Sequence, residues 1–173
     1  MHNRAFTLAI AAAATIAVAC GKDDTPTAPA APVSHIVNFK ATMNGASEVP
    51  PNTSTGSGVF TATLDTSTNV FTYDLTFTGL TTPVSNGHIH GPAAAGANAG
   101  TTINFNTLAG ANFSFSQTSG TGHGSAVLTA GTQITATVNG DSLKKLLFAG
   151  LTYANIHTSQ NSGGEIHGQI LKQ

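Results

Sequence analysis

The sequence predicts an all-β domain, a two-sheet antiparallel sandwich with one short helix. Two observations lead to this expectation. Apolar and polar residues alternate with a period of two along several short runs, as they do in strands that bury one face. Segments rich in Gly, Asn, Asp, Ser and Thr separate these runs, and such residues favour turns. Short strands at regular spacing, joined by turns, are typical of a β-sandwich.

Three alternating runs open the domain. Their apolar positions fall within Val37–Met43, Phe60–Leu64 and Phe71–Phe77, with polar residues between them. The segment Asp65–Asn69 joins the second and third runs, and its Asp, Asn and hydroxyl side chains can bond the nearby backbone. We therefore predict a hairpin loop at this segment.

Later runs continue the alternation, with one exception. They are Ile103–Phe105, Phe113–Phe115, Ala126–Leu128 and Ile134–Val138. The exception is Asp141–Gly150, in which three leucines share one helical face. Asp141 suits the N-cap of a helix and Gly150 suits its C-terminal cap, so this segment is expected to be the short helix.

The last two runs form a second predicted hairpin. Thr152–His157 and Glu165–Leu171 flank a polar stretch with paired glycines, which supply the backbone angles of a turn. Successive side chains of a strand point to opposite faces, so Ile156 and His157 lie on opposite faces of their strand. The same alternation of Ile and His occurs upstream in His88–His90. Three Ile–His pairs therefore each separate an apolar face from a histidine face.

Four motifs in the chain carry a family resemblance. They are Glu48-Val49-Pro50-Pro51, His88-Ile89-His90-Gly91-Pro92, Tyr153-Ala154-Asn155-Ile156-His157-Thr158 and Gly164-Glu165-Ile166-His167-Gly168-Gln169. In this order they resemble the CHRD domain, which is named after chordin and is widespread in bacterial exported proteins. The resemblance implies fold and location more than activity, because the family has no generally assigned biochemical function. The family usually has Arg at the position of His167.

Residues 1–19 are expected to be a signal peptide. Arg4 gives a positive start, and Phe6–Val18 is an apolar segment too short to span a bilayer stably. Ala17–Cys20 fits either an ordinary cleavage site or a lipoprotein signal, and both are cut before Cys20. Cys20 is the only cysteine in the chain, so it cannot form an internal disulfide. We predict that Cys20 is lipidated and anchors the protein to a membrane.

Residues 20–35 are predicted to be this lipidated cysteine and a disordered tether to the domain at residues 36–173. The tether contains three prolines, and Val33 is its one large apolar residue, so it cannot bury enough surface to fold. Gly21 after the cysteine favours sorting to the outer membrane. Lys22-Asp23-Asp24 fits either an export signal or a solvated charge cluster. We expect an exported lipoprotein at the outer membrane or cell surface.

The composition argues against several functional classes. Charged residues make up 8% of the chain and the net charge is −1, whereas nucleic-acid binding needs a basic face. No serine lies in a Gly-x-Ser-x-Gly elbow and no glycine-rich phosphate loop leads from a strand into a helix. We therefore expect a binding or structural protein rather than an enzyme, and no nucleic-acid partner.

The histidines are the candidate metal ligands. Strand alternation places His88, His90, His157 and His167 on the polar face of their strands. His88 and His90 lie roughly 6.6 Å apart along the chain, so both can reach one ion. Imidazoles suit copper and zinc, and Glu165 on the same face would add a ligand or a supporting group. The sequence thus predicts a copper or zinc site from these five residues.

Two functions remain open from the sequence. One is a non-catalytic, envelope-anchored module that binds a protein or a polysaccharide, in which the histidines are only the solvated side of a sheet. In that case Glu48–Pro51 is either a rigid loop that protects a sheet edge or a loop that binds the partner. The other is a metal site on the histidine face, for metal binding or for redox chemistry.

Overall fold

A computed structural model describes residues 35–135 and 138–173. The predicted signal peptide, Cys20 and most of the tether lie outside these residues, so those expectations remain predictions. No helix within the described ranges has the length and apolar character needed to cross a bilayer.

The described residues form nine strands, one α-helix and one short 3-10 helix. The strands are β1 (Ile36–Asn44), β2 (Ser57–Asp65), β3 (Val70–Thr78), β4 (Val84–His90), β5 (Thr101–Asn104), β6 (Ala109–Phe113), β7 (Gly120–Val127), β8 (Thr152–Thr158) and β9 (Ile166–Lys172). The 3-10 helix is Gly45–Ser47, and α1 is Gly140–Phe148. The expectation of a mostly β protein with one short helix is confirmed.

All nine strands belong to one antiparallel sheet, in the order β5-β4-β8-β9-β1-β2-β3-β7-β6. The expected division into two separate sheets is not confirmed, because hydrogen-bonded ladders run without a break from β5 to β6. The sheet is instead curled into a half-barrel. The strand twist accumulates across a sheet this wide, and curling lets it cover its own apolar face.

Contacts between the two ends of the sheet close this curl. Tyr73 on β3 donates its hydroxyl to the carbonyl oxygen of Phe105, which follows β5, at 2.7 Å. Their ring centroids lie 4.9 Å apart. The backbone N–H of Val84 at the start of β4 donates to the carbonyl of Gln117, just before β7, at 2.9 Å. Residues distant in the strand order therefore meet across one core.

The predicted alternation of faces is confirmed on the apolar side. The isoleucines of β4, β8 and β9 are fully buried in the core. They are Ile89, Ile156, Ile166 and Ile170. Their burial fixes the strand register, because a slip of one residue would turn every isoleucine away from the core.

The N-cap of the helix lies two residues before the predicted one. The side chain of Asn139, not that of Asp141, caps α1 by accepting the backbone N–H of Ser142 at 2.9 Å. Asp141 lies in the first turn, where a carboxylate still complements the helix dipole. At the other end Gly150 has the positive φ of +64° expected of a residue that follows a helix.

Candidate metal centre

The sheet order places the predicted histidines on three neighbouring strands. β8 lies between β4 and β9, and directly opposed residues share one face of a sheet. The opposed pairs are His88 with Asn155, Asn155 with His167, His90 with Tyr153, and His157 with Asn86. The four histidines therefore lie on the same face, opposite the buried isoleucines, as the sequence predicts.

This histidine face is not a solvated surface. Asn155 and His167 are each 2% exposed and His90 is 9% exposed. Two loops cover the face and bond to it and to each other. Ala99 donates its N–H to the Tyr153 hydroxyl at 3.1 Å, and Asn98 donates its side-chain amide to the carbonyl of Val49 at 2.7 Å. Asn155, His167 and His90 therefore do not face water, in contrast to the alternative in which the histidines are the solvated side of a sheet.

Three of the histidines converge at one point. His88, His90 and His157 each offer a ligand nitrogen, and these nitrogens all lie within 4.8 Å of one another. Nδ1 of His88 and Nε2 of His157 lie 3.1 Å apart and are hydrogen-bonded to each other. Two nitrogens bound to one tetrahedral zinc ion at 2.0–2.1 Å lie roughly 3.3 Å apart, so this spacing fits a shared ion.

Backbone carbonyls fix which nitrogen two of these rings turn inward. Nδ1 of His90 lies 3.0 Å from the carbonyl oxygen of Ala99, and Nδ1 of His157 lies 3.0 Å from that of Ser162. A carbonyl can only accept, so both Nδ1 atoms carry the proton and both Nε2 atoms keep a lone pair. Nε2 of His90 is buried and has no hydrogen-bond partner. Metal-ligating histidines show the same arrangement, with the second nitrogen held by a carbonyl.

The surroundings keep these imidazoles neutral. Burial, reinforced by the neighbouring His157 and His90, lowers the pKa of His88 to about 4. Burial also lowers the pKa of His90 and that of His157, against the opposing effect of their bonds to carbonyls. A neutral imidazole is the form that coordinates a metal. Since Nε2 of His157 can only accept, Nδ1 of His88 donates to it in the metal-free protein. An ion bound between them would replace this hydrogen bond, and the proton of His88 would move to its Nε2.

The structure does not bring His167 into this triad. Its ring stacks on Tyr153 with centroids 3.9 Å apart, and Tyr153 stacks on His90 at 4.9 Å. His167 is therefore separated from His90 by one intervening ring. Burial lowers the pKa of His167 to about 4, helped by repulsion from His90.

Glu165 lies apart from the histidines for a geometric reason. It precedes the first residue of β9, so strand alternation does not govern its side chain. Its carboxylate accepts hydrogen bonds from Ser54, Thr81 and Thr158 at 2.6–2.8 Å. Burial opposes its ionisation, but these bonds outweigh burial and lower the pKa of Glu165. The structure thus places Glu165 in a hydrogen-bonded cluster of its own.

Glu48 is a site residue that the sequence interpretation assigned only to a loop. It is 5% exposed, and its Oε2 lies 3.5 Å from Nδ2 of Asn155 and 3.9 Å from Nδ1 of His167. Burial raises the pKa of Glu48 to about 7. The signal that pointed to it was the Glu48–Pro51 motif itself. Alternation could not reveal its burial, because this residue lies outside the strands.

Comparison with known proteins identifies one family. The model of the CHRD domain matches residues 39–170, which is most of the chain and all nine strands apart from the first residues of β1 and the last of β9. No curated protein and no solved structure matches the chain. The family match covers all four motifs that carry the resemblance.

Proposed function

The chain belongs to the CHRD domain family, and we propose that it is a non-catalytic binding module whose ligand is a zinc or copper ion. His88, His90 and His157 would hold the ion. The observation that supports this most strongly is the convergence of their three ligand nitrogens within 4.8 Å. The bonds to the carbonyls of Ala99 and Ser162 add the orientation that a metal site requires.

The donor set favours zinc or copper over other ions. Imidazole nitrogen suits both, whereas calcium and magnesium prefer oxygen ligands. Three protein ligands leave one position of a tetrahedral ion for water or for an incoming group. Redox activity, the alternative role of this site, would apply to copper alone, because zinc has no redox chemistry.

Calorimetric titration of the metal-free protein with Zn²⁺ and with Cu²⁺ tests the metal proposal. The variant His88→Ala, His90→Ala removes two predicted ligands, and we expect it to lose most of the affinity. His35→Ala, His123→Ala is the matched control, since it removes two histidines outside the triad. His123 is half-exposed and lies 2.8 Å from Asp74. We expect this control to bind as the wild type does.

Equal binding of both ions by the wild type and the His88→Ala, His90→Ala variant would refute the metal site. The proposed binding module would then act through its loops on a protein or polysaccharide partner. Residual binding that disappears in the His35→Ala, His123→Ala control would instead identify an adventitious surface site.

We also propose that the module is held at the outer membrane or cell surface by a lipid on Cys20. The support is the lone cysteine that follows an apolar N-terminal segment. Mass spectrometry of the mature protein should find residues 1–19 removed and Cys20 acylated. Cys20→Ser should move the protein from the membrane fraction to the soluble fraction. An unmodified Cys20 in the mature protein would refute the anchor.

A further inference from the structure

A cleft of about 400 Å³ lies beside the histidine face, on the far side of Tyr153 from the triad. One wall is the loop that carries Glu48, and the other contains Ala95 and Gly96. The remaining lining residues on the sheet are His167 and Gln169 of β9. Apolar groups of Ala46, Val49 and Pro51 also line it. The cleft thus combines polar groups with aliphatic walls.

Three polar atoms at this cleft have no hydrogen-bond partner. They are Oε1 of Glu48, Nδ1 of His167 and Oε1 of Gln169, and all three are buried. The orientation of Gln169 is fixed, because its Nε2 donates to the carbonyls of Ala93 and Gly150 at 3.0 and 2.7 Å. Buried polar atoms are normally paired. The oxygens of ionised Glu48 and of Gln169 can only accept, so their lack of a partner indicates a missing hydrogen-bond donor, whereas Nδ1 of His167 donates or accepts according to its tautomer.

The charge at the cleft is also unbalanced. Among the described residues no lysine forms an ion pair with Glu48. His167 is close to Glu48, but its imidazole is neutral at pH 7 because burial holds its pKa at about 4. Asn155 donates to Glu48 only at 3.5 Å. An ionised Glu48 therefore lacks a counter-charge, and its bonds from Asn155 and from the backbone N–H of Val49 do not offset its burial.

We propose that this cleft binds a primary alkylammonium group, with the ammonium at Glu48, His167 and Gln169. An ammonium offers three N–H donors, enough for the two unpartnered oxygens and, in the tautomer that carries the proton on Nε2, for Nδ1 of His167. The aliphatic stem would lie along the apolar wall, as lysine stems do on apolar surfaces. An anion would be repelled by Glu48, and calcium needs six to eight oxygen ligands, more than the cleft presents.

A lysine side chain of a protein partner and a free aliphatic polyamine share this chemistry. The probes are therefore n-butylamine, putrescine and the blocked peptide acetyl-Gly-Lys-Gly-amide, titrated into the purified protein by calorimetry. A chelator is present, so that no amine binds through a metal at the triad. At about pH 8 Glu48 is ionised, while a primary amine remains protonated. N-butylacetamide, which keeps the stem and loses the charge, is the negative control.

We expect saturable binding of n-butylamine to the wild type and none of N-butylacetamide. Glu48→Gln keeps the shape and removes the charge, and it should weaken binding by about tenfold or more. Asp74→Asn removes an exposed carboxylate elsewhere, so it should bind as the wild type does. Ala95→Phe should also weaken binding by filling the cleft, without touching the acceptors. His88→Ala, His90→Ala should retain binding, which separates this proposal from the metal site.

The three probes distinguish the sources of the ammonium. Tighter binding of the peptide than of putrescine supports a lysine of a partner protein, and the reverse supports a free polyamine. Absence of saturable n-butylamine binding overturns the proposal. Equal binding by the wild type, Glu48→Gln and Ala95→Phe, or equal binding of N-butylacetamide, overturns it as well.

Discussion

Replacing Glu48 by Gln should stabilise the protein, and the gain should depend on pH. Glu48 is buried, and the bonds from Asn155 at 3.5 Å and from the backbone N–H of Val49 do not outweigh that burial. Its neutral form is therefore favoured in the folded state, and its pKa rises from 4.5 to about 7. Gln resembles the protonated carboxyl group in shape and in charge, so it removes the cost of burying a carboxylate.

The sign and the size of this effect follow from proton linkage. Between pH 4.5 and 7 the folded protein holds a proton at Glu48 that the unfolded chain has released. The free energy of unfolding therefore falls as the pH rises through this window. Each pKa unit corresponds to about 1.4 kcal/mol, so the full difference is about 3 kcal/mol. Above pH 7 we expect the free energy of unfolding of Glu48→Gln to exceed that of the wild type by up to this amount. Near pH 4 the two free energies should be equal.

Urea unfolding at pH 4, 6 and 8 measures this prediction. Glu165→Gln is the matched control, since Glu165 is also buried but its pKa is lowered by four hydrogen bonds. A carboxylate with a lowered pKa stabilises the fold above its unfolded pKa, so Glu165→Gln should destabilise the protein at pH 8. If Glu48→Gln changes stability equally at pH 4 and pH 8, the electrostatic account of Glu48 is wrong.

Two further predictions concern strand β8 and helix α1. Asn155→Asp and Ile156→Asp should both lower the free energy of unfolding at pH 8 by several kcal/mol, because each buries a carboxylate and Asn155 lies beside Glu48. If Asn155→Asp costs no more than about 0.5 kcal/mol, the face that carries Asn155 is solvated. Asn139→Ala should cost about 1 kcal/mol in thermal or urea unfolding through loss of the N-cap, and an equal or greater cost for Asp141→Ala would show that the cap is assigned to the wrong residue.

Alternation of residues predicted the strands well, but it could not predict their arrangement. A period of two reports that one face of a strand is apolar, as the buried isoleucines of β4, β8 and β9 show. One curled sheet and two stacked sheets bury that face equally. The choice depends on contacts such as Tyr73 with Phe105, which join residues far apart in the strand order. No local pattern in the sequence contains that information.

The N-cap of α1 shows the same limit on a smaller scale. Both Asn139 and Asp141 are good capping residues, so propensity alone does not separate them. Packing makes the choice. A Cβ atom on Gly140 would lie 2.4 Å from the backbone nitrogen of Thr129, so only Gly allows the helix to start this close to that segment.

The convergence of His88, His90 and His157 was predictable in part because these histidines lie within regular strands. Alternation gave their common face, and the spacing of His88 and His90 suggested a shared ion. Alternation did not show that loops bury this face, nor that the carbonyls of Ala99 and Ser162 orient the rings. Which backbone carbonyl a loop presents to a side chain does not depend on residue type, so these two hydrogen bonds could be found only from the structure.

Glu48 and Glu165 show how the number of hydrogen bonds decides what a buried carboxylate does. Both are buried in a domain with few charges. Glu165 accepts four short hydrogen bonds and its pKa is lowered, so its charge is already satisfied by the protein. Glu48 accepts fewer bonds, from Asn155 at 3.5 Å and from the backbone N–H of Val49, and burial raises its pKa to about 7. An arriving cation would therefore gain little at Glu165 and much at Glu48, which is why the cleft beside Glu48 is the place to look for a charged ligand.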